Sequence, residues 1–221
     1  MKLSCGICSG LHGQLIGTAL KPWDHVLLRS DSFVAVPSRG SIVPGWVLVV
    51  SSDHLLSMGA VEQGRRQELA EFVSEVRAMV ESAFGPSVVF EHGPASPKLR
   101  VGCGVDHAHL HVVPTDIDLL AGIPAVFPSQ IAWREISGLS ATAELYRRNE
   151  SYLYVEPHLG GCWLGTHSHL PSQLFRKVIA NAVGSPERFD WVAYPEVENV
   201  LATINAFGVA ADAVPHLAAD R

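Results

Sequence analysis

Charge is scarce in this chain. Only 17% of its residues are Asp, Glu, Lys or Arg, against 48% hydrophobic ones, the reverse of the balance that keeps a chain disordered. Basic residues are the scarcer sign, with 16 Lys and Arg facing 22 Asp and Glu for a formal net charge of −6. A nucleic-acid coat needs a basic face that displaces counterions, so no nucleic-acid polymer is expected as partner. A small phosphate ligand stays open, since it needs only a local positive field. Long apolar runs are missing too. Ile42–Val50 and Ile123–Phe127 are broken by Gly, Pro or Trp and fall short of the roughly 20 residues of a membrane span. Met1-Lys2-Leu3-Ser4-Cys5 lacks the apolar stretch of a signal peptide. The expectation is a cytoplasmic protein with no membrane partner, whose four cysteines (5, 8, 103 and 162) are thiols or metal ligands before disulfides.

What is present is a foldable length, 221 residues, enough for one large domain or two small ones with a real core. Residues 1–30 read as irregular, with Gly at 6, 10, 13 and 17. Phe33–Pro37 and Gly45–Ser51 read as strands around a Ser38–Ser41 turn. Leu69, Phe72, Val73, Val76, Met79, Val80 and Ala83 recur at three- and four-residue steps and predict a long amphipathic helix, stopped by Gly85-Pro86. Val88–Glu91 and Val105–Pro114 follow as strands. Strands, helix, then strands imply an α+β domain with a largely antiparallel sheet. Residues 115–137 show little periodicity. Beyond them a short helix is expected at Ser140–Arg148, strands at Tyr152–Glu156 and Gly161–Leu164, and helices after Pro171-Ser172 and over Glu196–Phe207. The tail after Gly208 reads as frayed. The chain thus divides into 1–115 and an α/β extension, 116–221, packed on it.

The informative run is Asp106-His107-Ala108-His109-Leu110-His111-Val112-Val113-Pro114. In a strand, residues two apart share a face, so the three imidazoles form a row while Ala108, Leu110 and Val112 turn to apolar packing. Two chemistries fit. Neutral imidazoles can ligate a transition metal, giving a metal-dependent hydrolase or lyase. Alternatively one imidazole attacks while its neighbours fix tautomer and charge. Spacing alone does not choose.

His107-Ala108-His109-Leu110-His111-Val112-Val113 resembles the signature of the histidine-triad (HIT) superfamily. Gly45–Val50 followed by Asp53-His54, the long helix, and Phe90-Glu91-His92-Gly93 precede it in the order of the family's fold. The resemblance implies a HIT-like fold and a nucleotide hydrolase or nucleotidyltransferase. In that family the middle histidine, here His109, attacks an α-phosphate and carries a covalent nucleotidyl intermediate, with His111 orienting the ring or handling the leaving group's proton and His107 completing the triad. The small-molecule partner would be a nucleotide or nucleoside phosphate. The chain departs from the pattern in two places. Trp46 stands where family hydrolases often have His, and a Gln-Ser pair expected near Cys103-Gly104 is missing. That absence keeps a third alternative open, a non-catalytic nucleotide-binding protein. Glu91 and His92 sit where other members place phosphate-proximal Asn residues and are substrate-binding candidates by position. The third His points to hydrolase branches, the long extension to transferase and phosphorylase branches. Small members are commonly dimers, so a homodimer is possible, unless the extension covers the same surface within one chain.

Cys5-Gly6-Ile7-Cys8 alone is half a zinc site. The resemblance supplies the other half, since several members bind zinc through such a pair, a His after the Val-rich strand and the first triad His. The matching residues are Cys5, Cys8, His54 and His107, a closed tetrahedral Zn²⁺ site with a structural role; no organic cofactor is implied. In the extension, Pro171-Ser172-Gln173 opens a helix whose free amides can receive phosphate. Gln173 and Arg176 are the candidates there for phosphate or leaving-group contacts.

Overall fold

The computed structural model describes residues 5–16, 21–97, 101 and 104–208. Cys103, read from sequence as a thiol or metal ligand, and the tail beyond Gly208, read as a frayed end, lie outside the described residues.

The elements run α1 (Gly6–Ile16), β1 (Leu28–Arg29), β2 (Phe33–Pro37), β3 (Val47–Ser51), α2 (Arg66–Phe84), β4 (Ser87–Gly93), β5 (His109–Pro114), α3 (Leu119–Gly122), β6 (Ala132–Ile136), α4 (Thr142–Arg147), β7 (Tyr152–Glu156), β8 (Cys162–Thr166), α5 (Leu174–Ala182) and α6 (Val197–Ala206). The strands form one eight-stranded sheet in the order β1-β2-β3-β5-β4-β7-β8-β6. Every pairing is antiparallel, so the fold is a mixed α+β one. No helix among the described residues is long and apolar enough to cross a membrane.

Period-two alternation divides the sheet into two cores. On one face Val47, Val49, Val89, Leu110 and Val112 pack under α2, which buries Leu69, Phe72, Val73, Val76 and Val80. This is the stripe its spacing predicts. The helix ends at Gly85, whose φ of 88° suits glycine. On the other face Trp46, Phe90, Val113, Leu153 and Val155 pack under α5 through Leu174, Phe175, Val178 and Ile179.

The extension is built into this sheet. β7 takes the edge of β4, Glu91 opposite Tyr154 and His92 opposite Leu153. Arg77 on α2 pairs with Glu156 on β7 and donates from Nη2 to the Ser87 carbonyl at 2.9 Å. At the β2–β3 connection, Asn199 Nδ2 donates to the Ser41 carbonyl (2.7 Å) and Gly45 N–H to Thr203 Oγ1 (2.8 Å).

Two readings of the chain are corrected. Residues 6–16 form a helix where irregular chain was expected. Their glycines lower helix propensity, but they also permit close packing: a Cβ on Gly10 would lie 2.6 Å from Asp24 Oδ1. Ile7 and Leu11 pack on Val34, Val36 and Val50, so tertiary contact overrides propensity. The aperiodic stretch 115–137 holds a turn of helix and β6, an edge strand that is mostly exposed and hence free of an apolar alternation.

Candidate active site and metal centre

The three histidines do not share one environment. His107 precedes β5, between a cysteine pair and a carbonyl. Its Nε2–H donates to the Ser51 carbonyl at 2.7 Å, since a carbonyl can only accept. Its Nδ1 lone pair then faces Cys5 and Cys8 Sγ, each 3.5 Å away. His54 Nδ1 lies 3.3 Å from Cys8 Sγ. The ligand atoms of Cys5, Cys8, His54 and His107 all fall within 4.8 Å of one another. Zn–S and Zn–N bonds near 2.3 and 2.0 Å in a tetrahedron put ligand atoms about 3.3–3.8 Å apart, so the donor set and its spacing fit Zn²⁺. The Ser51 carbonyl behind His107 is the usual outer partner of a metal-bound imidazole.

His109 opens β5. Its Nδ1 lies 2.6 Å from the His107 carbonyl and must donate to it. Nε2 is thereby left with its lone pair. Burial and the nearby Arg176 charge push this imidazole below its ordinary value, against the pull of that hydrogen bond. That direction favours the neutral ring, the form a nucleophile needs.

His111, two residues on, lies in an aromatic box. Its ring stacks on Phe90 with centroids 4.5 Å apart. Trp46 stands edge-on and donates Nε1–H to His111 Nδ1 at 3.0 Å. His92 projects to the same side, its Nε2 accepting from the Phe175 amide at 3.3 Å. Burial, then the charges of His109, Arg176 and Lys177, push His92 down to about 3. The Arg176 guanidinium is buried over the Trp46 ring (4.8 Å) and donates to the carbonyls of Gly40 (2.6 Å) and Phe189 (2.9 Å). β5 and β4 thus bring His109, His111 and His92 together, with Arg176 behind.

Glu91 is not among them, which corrects its placement as a substrate contact. Strand alternation turns it to the α2 face, where its carboxyl accepts from the Met58 amide and the Tyr152 hydroxyl, both at 2.6 Å. Burial pushes it up to about 7. Gln173, with a φ of 58°, precedes α5, and its Oε1 is buried without a hydrogen-bond partner. The three triad imidazoles do not form one converging group of metal ligands among the described residues. Among the described residues only the Cys5–Cys8–His54–His107 group converges, because each triad ring has an Nδ1 committed in a different direction.

Sequence reasoning named Trp46 as a departure and missed Phe90, Phe175 and Tyr152 as structural partners. The alternation of Phe90 and His92 around Glu91 is the signal that would have separated the two faces.

Residues 21–118 match a family model described as HIT domain. Among solved structures it is similar to a histidine triad nucleotide-binding protein from Sulfolobus tokodaii, at 19% identity over 66% of this chain and 88% of that one, TM-score 0.40. A zinc-bound histidine triad family protein from Mycobacterium smegmatis gives 17% over 66% and 93%, TM-score 0.38. Yeast Ap4A phosphorylase in complex with AMP gives 14% over 76% and 74%, TM-score 0.42. None of the curated proteins matches the chain.

Proposed function

We propose that this protein is a nucleotidyl hydrolase or transferase that works through a covalent intermediate on His109. The observation that carries the reading is the 2.6 Å contact of His109 Nδ1 with the His107 carbonyl, inside the stretch that matches the HIT domain model. It leaves Nε2 as a lone pair on a buried neutral ring. In the first half-reaction Nε2 attacks the α-phosphorus of a nucleoside phosphate. The N–P bond forms while the bond to the leaving group breaks, and the leaving group keeps that electron pair. In the second, water or another acceptor attacks phosphorus, the N–P pair returns to Nε2, and the acceptor's proton is released.

His92 and Gln173 are proposed to meet the phosphate or leaving group, with the Arg176 charge adding to the local field. Zn²⁺ on Cys5, Cys8, His54 and His107 would be structural. It would hold the His107 ring, and with it the carbonyl that sets the tautomer of His109.

Mass spectrometry after brief exposure to adenosine and guanosine polyphosphates and phosphoramidates tests the reading. A nucleotidyl adduct on wild-type protein, absent from a folded His109→Ala variant, supports it. Nucleotide binding without an adduct, or undiminished turnover by that variant, rejects it in favour of a binding protein or another nucleophile.

A further inference from the structure

We infer that Trp46 is a positioning residue that holds His111 as a neutral Nε2–H donor, so that the site favours leaving groups able to depart without a proton. The inference rests on the proposed His109 chemistry and names the substrate class it serves: phosphoric anhydrides rather than amidates.

The argument starts from the donor inventory. An indole has one N–H and no acceptor. Its 3.0 Å bond to His111 Nδ1 therefore has a single polarity, and Nδ1 must be the lone pair. A neutral imidazole then carries its proton on Nε2. To become an imidazolium, His111 would have to place a second proton on Nδ1, directly against the Trp46 N–H. That step would lose a buried hydrogen bond and oppose two donors, on a ring that is already 97% buried (3% exposed).

The surroundings act the same way. Among the described residues, the charged or titratable groups that act on His111 are His109, His92 and Arg176, all cationic or cation-forming. Glu91, the nearest acid along β4, accepts from Met58 and Tyr152 on the opposite face. Burial first, and then those three neighbours, hold His111 well below its ordinary value. The indole that makes the bond is itself held by the Arg176 guanidinium over its ring and by Phe90 edge-on at 6.0 Å.

The chemical consequence follows from the leaving group. A phosphate or pyrophosphate oxygen leaves as a stable anion and needs hydrogen bonds at most, which a neutral Nε2–H supplies. An amine leaves phosphorus only once its nitrogen is protonated, which calls for a general acid. Neutral His111 would have to become an anion to serve as one, and the Trp46 indole cannot pass a proton on. A histidine at position 46 would differ, because it can accept as well as donate.

Two measurements test this on the whole 221-residue chain. Imidazole ¹⁵N NMR should find His111 in the Nε2–H tautomer and unprotonated between about pH 5 and 8, with a titration or mixed tautomers emerging in Trp46→Phe. An Nδ1–H tautomer, or a protonation midpoint in that range in wild-type protein, overturns the proposal. In kinetics, adenosine or guanosine triphosphate should be turned over at least roughly 100-fold faster than the matching nucleoside monophosphoramidate, the scale of one general acid. Trp46→His should narrow that ratio. Equal rates for the two substrates in wild-type protein overturn the substrate preference while leaving the His109 reading intact. Absence of any adduct from either substrate rejects that reading instead, and with it the substrate preference, while the NMR result alone then decides the role of Trp46.

Discussion

His107 and His111 are four positions apart in one run of chain, and they do different work. His107 turns Nδ1 outward to two sulfurs and gives its Nε2 proton to a carbonyl. His111 turns Nδ1 inward to an indole and stacks on Phe90. One end of the row is tied to the N-terminal helix, the other is roofed by the C-terminal half. His109 lies between them and takes its tautomer from the backbone of the first. The contrast teaches that a ring's role is set by what its second nitrogen meets rather than by its place in a motif.

The sharpest way to break this division is to remove the central ring. His109→Ala should lower turnover by roughly 10³-fold or more while the circular dichroism spectrum and melting temperature stay near wild type. A folded variant that keeps its activity would remove the nucleophile from the proposed chemistry.

The His107 end should fail in a different way. Cys8→Ser should abolish stoichiometric zinc, measured by elemental analysis, and lower the melting temperature by roughly 10 °C or more. Activity per folded molecule should fall much less than in His109→Ala. Equal loss of turnover in an intact fold would mean that both ends of the row share the chemistry.

The roof over His111 gives the next effect. Arg176→Met leaves the Gly40 and Phe189 carbonyls without their donor, and should destabilise the protein by about 2–4 kcal/mol in urea unfolding. A smaller change would show that the C-terminal half is held on by α5 packing alone.

The smallest effect lies on the face away from the triad. Glu91 is an acid pushed up to about 7 by burial, so its contribution is complete below its unfolded value near 4.5 and is lost as pH rises through about 7. The change amounts to about 3 kcal/mol at most. Glu91→Gln should flatten the fall in stability between those limits, followed as melting temperature against pH, with turnover barely altered. A large effect on KM would return Glu91 to the substrate side of the sheet.

Much of the architecture was legible. The α2 stripe, Phe33–Pro37 and Tyr152–Glu156 appear at their expected positions because each buries a regular apolar pattern. The N-terminal helix was hidden, since its glycines serve close approach rather than helix propensity. β6 was hidden because an exposed edge strand has no core face to write into its sequence. At the site, the triad and the Cys-x₂-Cys pair stood out by spacing, whereas the face of Glu91 depended on strand register.

The sequence by itself determined the periodicities, the chemistry each side chain can perform, and the resemblance those residues carry. Only the tertiary structure decided which way each ring nitrogen points. That choice depends on partners distant in the chain: Ser51 for His107, Trp46 for His111 and Phe175 for His92. A hydrogen bond's polarity exists only once both partners are in place.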